Sequence, residues 1–272
     1  MKIFLRRDIF SVQIVYLRVM KLISYNVNGI RAAISKGFEE WLEVEQPDII
    51  HIQETKALQE QVNVDMLRMF GYEIYWFPAE KKGYSGVATF TKHSPKQVIK
   101  GIGNDFFDAE GRFLRLDFED FTLINSYFPS GTSGDVRQEK KEEYLELVLD
   151  YTNELRKTHP NIIVSGDYNI CHKPIDINHP EKHEDMSGFL PNEREWMDRF
   201  VASGFVDSFR QFNTKAEQYS WWSYRGGCKP KNLGWRIDYH MVSTPLASRL
   251  SNAWIIPELN FSDHCPVVVE LK

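Results

Sequence analysis

Cysteine is scarce in this chain: among 272 residues only Cys171, Cys228 and Cys265 occur, odd in number and widely separated. That spacing excludes a disulfide framework and a cysteine-based zinc site, and makes the reducing cytoplasm the expected compartment. Long hydrophobic runs are missing as well. Residues 1–19 are partly apolar, but Arg6, Arg7, Asp8 and Arg18 interrupt them, and no run approaches the roughly 20 apolar residues of a membrane span. The same segment has no clean signal-peptide core followed by a small-residue cleavage site. Met20-Lys21 directly precedes the first convincing strand. Residues 1–19 are therefore expected to be an upstream extension, with translation starting at Met20. No Gly-x-x-x-x-Gly-Lys-Ser/Thr loop, Gly-x-Ser-x-Gly elbow or His-Glu-x-x-His pair is present, which removes three common catalytic chemistries. Positive charge is not in excess either. A formal net charge of −5 argues against a protein that coats nucleic acid non-specifically. It leaves room for an enzyme acting on phosphodiesters, because acidic metal ligands lower net charge while the bound cation restores positive potential locally.

What is present is a regular mixture of strand and helix signals without a dividing linker or a fixed-period repeat. Short β-branched or alternating runs predict strands over 21–25, 49–53, 72–77, 87–91, 235–242 and 266–271. Segments 112–118 and 121–127 read as a hairpin around Glu119-Asp120. Helical spacing predicts helices over 36–45, 59–70 and 137–155, and a fourth through Val201, capped by Asn192 with Glu195 in the capping-box position. A polar loop rich in Pro, His and Asp fills 171–191. These elements predict one α/β domain over 20–272, built on two packed sheets with helices outside. The aromatic content, with seven Trp, twelve Tyr and eighteen Phe, supplies such a core and leaves rings to wall a pocket.

Chemistry gathers at the predicted strand ends. Ile162 to Ser165 reads as a buried strand, Gly166 as its breaker, and Asp167 and Asn169 as two side chains leaving on one side of extended backbone. By itself Gly-Asp-Tyr-Asn also reads as an ordinary turn. Asn26, Glu54, Tyr127 and Asp238 stand in similar places, and Asp263-His264 precedes the last strand. Ligand sites concentrate where strand ends meet loops. This set is rich in oxygen donors, which favours Mg²⁺ or Mn²⁺ over Zn²⁺ and suits hydrolysis of a phosphate ester.

Five blocks carry a resemblance. They are Ser24-Tyr25-Asn26-Val27-Asn28-Gly29-Ile30-Arg31-Ala32, Gln53-Glu54-Thr55-Lys56, Gly166-Asp167-Tyr168-Asn169, Gly234-Trp235-Arg236-Ile237-Asp238-Tyr239 and Ser262-Asp263-His264-Cys265-Pro266. In this order they resemble the signature blocks of the exonuclease III family of apurinic/apyrimidinic (AP) endonucleases. The resemblance implies a four-layered α/β sandwich of two mixed β-sheets flanked by helices. It implies a Mg²⁺-dependent hydrolase, with Mn²⁺ substituting, that cuts double-stranded DNA 5′ to abasic sites and also works as a 3′–5′ exonuclease and 3′-phosphatase in base excision repair. A cytoplasmic monomer without membrane attachment goes with it.

Carried over by position, Glu54 would be the principal metal ligand with Asn26 beside it. Asp167 would position or deprotonate the attacking water, and Asn169 would hold that water or a phosphate oxygen. His264, oriented by Asp238, would contact the scissile phosphate, with Tyr127 near it. Asp263 would serve the metal directly, through water, or assist the leaving oxygen; Asp167, Asn169 and His264 also count among the expected metal-site residues. Arg112 resembles a DNA-backbone contact. Arg225, Lys229 and Lys231 lie in the loop at the DNA-inserting position, and Trp221, Trp235 and Ile237 match walls of a pocket for the abasic sugar. Asn28 stands where some relatives carry Asp, and Ser130 where Asn or Gln is frequent. The competing readings are a phosphoesterase for an inositol or lipid phosphate and an inactive nucleic-acid-binding relative.

Overall fold

The structure, a computed structural model, describes residues 19–272. The expected extension over 1–19 therefore lies outside the described residues except for its last position. In chain order the first half contains β1 (Met20–Asn26), α1 (Ile30–Ile34), α2 (Phe38–Glu45), β2 (Ile49–Gln53), α3 (Asp65–Met69), β3 (Glu73–Phe77), β4 (Val87–Thr91), β5 (Gln97–Lys100), α4 (Asp105–Ala109), β6 (Phe113–Asp117) and β7 (Thr122–Tyr127). The second half contains α5 (Asp135–Leu155), β8 (Ile162–Asp167), α6 (Pro191–Ala202), β9 (Phe205–Asp207), α7 (Ser208–Phe212), β10 (Asp238–Ser243), α8 (Thr244–Ala247), β11 (Leu250–Ile255) and β12 (Val267–Leu271).

Two six-stranded sheets result, ordered β11-β12-β1-β2-β4-β3 and β5-β6-β7-β8-β10-β9. Each has a single parallel pair at its centre, β1 with β2 and β7 with β8, and every other pairing is antiparallel. The outer face of the first sheet, with Tyr25, Ile50 and Ile52, packs on Phe38, Trp41 and Leu42 from α2. That of the second, with Ile124, Val164 and Met241, packs on Tyr144 and Val148 from α5 and Trp196 and Phe200 from α6. Each large side chain buried this way contributes roughly 1.5–3 kcal/mol. The four-layered sandwich expected from the sequence is the observed architecture.

Between the sheets the side chains change character along each central strand. Because alternate residues share a face, the inward rows read Leu22-Ser24-Asn26, Ile49-His51-Gln53, Leu123-Asn125-Tyr127, Ile163-Ser165-Asp167 and, in the reverse direction, Val242-His240-Asp238. Leu22, Ile49, Leu123, Ile163 and Val242 form one apolar cluster. The middle rank is polar and buried, and it ties the sheets together. Gln53 Nε2 donates to Asn125 Oδ1 (2.7 Å), Asn125 Nδ2 to Ala88 O (2.7 Å), and His240 Nε2 to Val267 O (2.9 Å). The third rank, at one end of the sandwich, carries the candidate chemistry.

Several boundaries differ from expectation for local reasons. Gly166 does not end its strand. β8 runs through to Asp167, pairing Gly166 with Ser126 and Asp167 with both Tyr127 and Asp238. The expected helix over 59–70 is a 3₁₀ turn at Gln59–Gln61 followed by α3; Asn63 Oδ1 takes the Asp65 amide (3.0 Å) and restarts the chain there. The helix expected to be capped by Asn192 starts two residues earlier, with Leu190 at its N-cap and Pro191 at its first position, and Glu193, not Glu195, accepts the cap residue's amide. Residues 235–237 precede β10 instead of forming part of it.

Candidate active site

The carboxyl ends of the two parallel pairs and the start of β10 meet at one end of the sandwich, so four strands deliver Asn26, Tyr127, Asp167 and Asp238 to the same place and Glu54 joins them from just past the end of β2. Asn26 stands at the centre. Its Nδ2 donates to Glu54 Oε1 (2.9 Å) and to Asp167 Oδ2 (2.9 Å), and its Oδ1 accepts from the Asn28 amide (2.9 Å). Tyr127 donates its hydroxyl to Glu54 Oε1 (2.8 Å), and Lys56 Nζ lies 2.7 Å from Glu54 Oε2. Asp167 Oδ1 accepts the Asn169 amide (2.8 Å), a local turn that forces Asn169 to φ +53. From there Asn169 Nδ2 donates to Phe128 O (3.0 Å) and approaches Asp167 Oδ2 (3.2 Å). Asn28, Glu54 and Lys56 also have positive φ. Left-handed backbone in non-glycine residues costs on the order of 1 kcal/mol or more, and here it concentrates around the polar cluster.

His264 completes the group. Its Nδ1 lies 3.0 Å from Asp238 Oδ2, which also accepts from Ser220 Oγ (2.6 Å), while its Nε2 faces Asp167 Oδ2 at 3.8 Å. Burial opposes a charge on this imidazole, but the Asp238 and Asp167 carboxylates and the hydrogen bond to Asp238 outweigh it and push its pKa up to about 10. Asp167 is raised to about 7, chiefly by complete burial and with Asp238 adding to it, against the pull of His264. Burial would also raise Glu54, yet Lys56 and the Asn26 amide hold it below the usual carboxylate range. Asp263 is likewise held low against burial by His264, Asn28 and Trp221. Its Oδ1 accepts from Asn28 Nδ2 (2.8 Å) and its Oδ2 from Trp221 Nε1 (3.0 Å).

Glu54, Tyr127, Asp167, Asn169, Asp263 and His264 line a cavity of about 280 Å³ together with Trp221, Trp235, Ile237, Ser130, Thr132, Met186 and Ser187. Trp221 and Trp235 meet edge to face, 5.9 Å between centroids, and form the apolar side. A larger depression of about 670 Å³ between α5 and α6 is lined by Glu142, Glu143, Glu146 and Glu195. It lies away from this cluster, and its charge would repel a phosphodiester. For a cation, one ligand atom each from Glu54, Asp167 and His264 lie within 4.8 Å of one another. Two carboxylates fit a hard divalent ion, and the Asn26 amide, whose Nδ2 donates to both, holds them in place. Asp263 is outside that group of three.

A sequence profile of the endonuclease/exonuclease/phosphatase family matches residues 23–264. The chain belongs to this family. Among relatives, an exodeoxyribonuclease of Bacillus subtilis is 44% identical over 250 residues, 91% of this chain and 98% of that one. A DNA repair nuclease of Danio rerio is 36% identical over 255 residues, 93% of this chain and 82% of the other. Among solved structures, a 3′ phosphatase from Neisseria bound to product DNA hairpin superposes with TM-score 0.85 at 28% identity, covering 93% of this chain and 99% of that one. An AP endonuclease from Archaeoglobus fulgidus gives 0.84 at 28% identity, with coverage of 93% and 99%.

Within this family member the other expected site residues stand apart from the ring. Arg112 is 2% exposed. Its guanidinium donates to Glu110 Oε2 (2.5 Å), Tyr127 O (2.9 Å) and Tyr84 Oη (3.1 Å) and lies over the Tyr127 ring at 4.5 Å. It is inside the protein, behind Tyr127. Lys229 Nζ is held by Leu259 O (2.6 Å) and Asn260 Oδ1 (2.8 Å) above the Trp222 ring, and Lys231 Nζ donates to Gly226 O (3.1 Å). Arg225 is exposed in the same loop. Lys56, Ser220, Thr132, Met186 and Ser187 were not singled out from the sequence. Lys56 was the most accessible of these, since it lies inside a quoted block two residues after Glu54.

Proposed function

We propose that the protein is a DNA repair nuclease that hydrolyses the phosphodiester 5′ to an abasic site and carries 3′–5′ exonuclease and 3′-phosphatase activity. What carries the reading is the ring Asn26, Glu54, Tyr127, Asp167, Asn169, Asp238 and His264, of which Glu54, Tyr127, Asp167, Asn169 and His264 line a cavity whose side is apolar. A phosphate fits the floor, and a sugar without a base fits between Trp221, Trp235 and Ile237. Extruding a nucleotide costs least where the base is already gone, so part of the selectivity comes from the lesion. The named relatives, a DNA repair nuclease and an exodeoxyribonuclease, support DNA as the substrate class.

In this reading Asp167 accepts the proton of the attacking water. Burial gives it a pKa near the working pH, the condition under which a general base is most effective. Asn169 orients that water or a phosphate oxygen. Protonated His264, fixed through Nδ1 by Asp238, presents its Nε2–H to a non-bridging oxygen as negative charge grows. Tyr127 stands beside the same phosphate, steadied from behind by Arg112. Asp263, held ionised, is suited to orient water near the leaving 3′ oxygen and unsuited to donate a proton itself. Mg²⁺ bound by Glu54 with Asn26 and Asp167, Mn²⁺ replacing it, would neutralise charge on the phosphate. Arg225, Lys229 and Lys231 are assigned to the flanking duplex. The reading includes a single catalytic domain over 20–272 and a monomer working in the cytoplasm. Among the described residues no helix is long and apolar enough to cross a membrane.

The deciding experiment incubates the protein with a duplex holding one tetrahydrofuran abasic site, with Mg²⁺ and then with EDTA. Nicking 5′ to the site that stops in EDTA is the expected result. An intact duplex together with hydrolysis of inositol phosphates would replace the proposal. No hydrolysis of either, with retained DNA binding, would mark an inactive relative.

A further inference from the structure

A charged pair outside the ring is wholly buried. Lys141, on α5, and Glu193, in the first turn of α6, both have 0% side-chain exposure and are joined at 2.5 Å between Nζ and Oε1. A strut between two helices would need nothing more. Glu193 Oε1 also accepts from Gln138 Nε2 on α5 (3.2 Å), but the pair's other hydrogen bonds go to the loops beside the active site. Lys141 Nζ donates to the backbone carbonyl of Asn169 (2.8 Å), the residue held at φ +53. Glu193 Oε2 accepts the amides of Gly188 (2.7 Å) and Leu190 (3.0 Å).

Two of these backbone groups, those of Asn169 and Gly188, lie at the floor and rim of the cavity, and the third, that of Leu190, caps α6. Asn169 carries the amide beside Asp167. Met186 and Ser187, just before Gly188, line the open side of the cavity. Gly188 lies so close beneath Trp235 that a Cβ there would fall 2.7 Å from Cζ3 of the indole. A buried charge pair that bonds to the backbone of both loops helps to set their place relative to each other.

We propose that the Lys141–Glu193 pair is a positioning element for catalysis, fixing the Asn169 amide and the Met186–Gly188 rim of the pocket relative to each other. The proposal deepens the nuclease reading and rests on it. Neither residue touches substrate; each acts through the backbone it holds.

The test compares Lys141→Met, Lys141→Arg, Glu193→Gln and the Lys141→Met/Glu193→Gln double variant. Nicking of the abasic duplex gives kcat and KM, thermal melting establishes that each protein is folded at the assay temperature, and amide exchange over 171–190 is followed in metal-free protein. The expected outcome is a loss of at least tenfold in kcat for Lys141→Met and for Glu193→Gln, with faster exchange over 171–190. Lys141→Arg, which keeps charge and donors, should return to within threefold of the parent. The double variant should be no worse than the poorer single one, because both changes break one connection. A folded Lys141→Met protein with kcat within twofold of the parent overturns the proposal even if its melting point falls. Should Lys141→Met not fold, an unchanged kcat in Glu193→Gln overturns it, and failure of every variant to fold reduces the pair to a strut. The same series on bis(p-nitrophenyl) phosphate separates the two claims. A parent that cuts this diester but not abasic DNA defeats the nuclease reading, while the variant pattern on the diester still decides the role of the pair.

Discussion

Arg112 carries its charge to a place nearly without solvent, and the consequences differ from those of a surface arginine reaching for DNA. Burial disfavours its charged form, but Tyr127, Glu110 and Tyr84 more than restore it. Removing one member of a buried pair commonly costs 3–5 kcal/mol, because the other is left unpaired. Glu110 here keeps Arg137, whose two terminal nitrogens lie 2.9 and 2.7 Å from its oxygens. Arg112→Ala should therefore cost less, about 2–3 kcal/mol in urea unfolding. It should lower kcat by freeing Tyr127 and leave the salt dependence of DNA binding unchanged. A salt slope reduced by about one unit would instead mean that Arg112 meets a phosphate. Asp167→Asn argues at the same scale. The amide keeps the shape and removes the base, so cleavage should fall by at least 10²-fold while DNA affinity stays within a few-fold. Near-normal turnover would return the Gly-Asp-Tyr-Asn stretch to a simple turn.

At the scale of elements, β8 shows what was legible in the sequence and what was not. A short β-branched run identified its apolar half, and the block order identified Asp167 and Asn169 as chemical. Local propensity then read Gly166 as a breaker, whereas the strand continues through it at φ +143. The reason is non-local: a Cβ at 166 would stand 1.8 Å from the carbonyl oxygen of Ser126 on β7. Glycine lets the two parallel strands stay paired up to the residues that carry function. Gly166→Ala should separate Tyr127 from Asp167, lowering stability by at least about 2 kcal/mol, as misplaced backbone does, and kcat along with it. A variant with unchanged melting and turnover would show that the strand ends tolerate displacement. The same limit explains Glu193 and Arg112. Capping spacing around Asn192 and the place of Arg112 in the sequence were visible, but burial and the partner across the fold were not. The three residues that line the open rim, Thr132, Met186 and Ser187, sit in loops whose course no periodicity records.

For the whole molecule, the sandwich is graded along its central strands, with an apolar far end, a polar middle and a mouth of polar and acidic groups. The sequence displays that gradient once the strands are aligned, yet single strands read only as buried, because Ser24, His51, Asn125 and His240 count as interruptions until their partners face them. Such a middle rank makes the join between the sheets sensitive to protons. His240 is fully buried, and that burial lowers its pKa to about 4; His51 is lowered too, by burial and by His240 facing it. In the unfolded chain both would titrate near 6.5. As pH falls from 6.5 towards 4, the unfolded state takes up a proton that native His240 refuses, so unfolding is favoured; above 6.5 neither state is protonated and the penalty vanishes. Between pH 7.5 and 4.5 this one residue should account for about 2–3 kcal/mol of lost stability, at 1.36 kcal/mol per pK unit. Other groups titrate over the same range, so the quantity to read is a difference. Urea midpoints of the parent and of His240→Gln, which keeps a donor and an acceptor for Val267 and Ser165, are measured at both pH values. The variant is expected to lose about 2–3 kcal/mol less than the parent on acidification. Equal losses would mean that His240 already shares its proton with the polar rank around it, and that the join between the sheets is not where acid first acts.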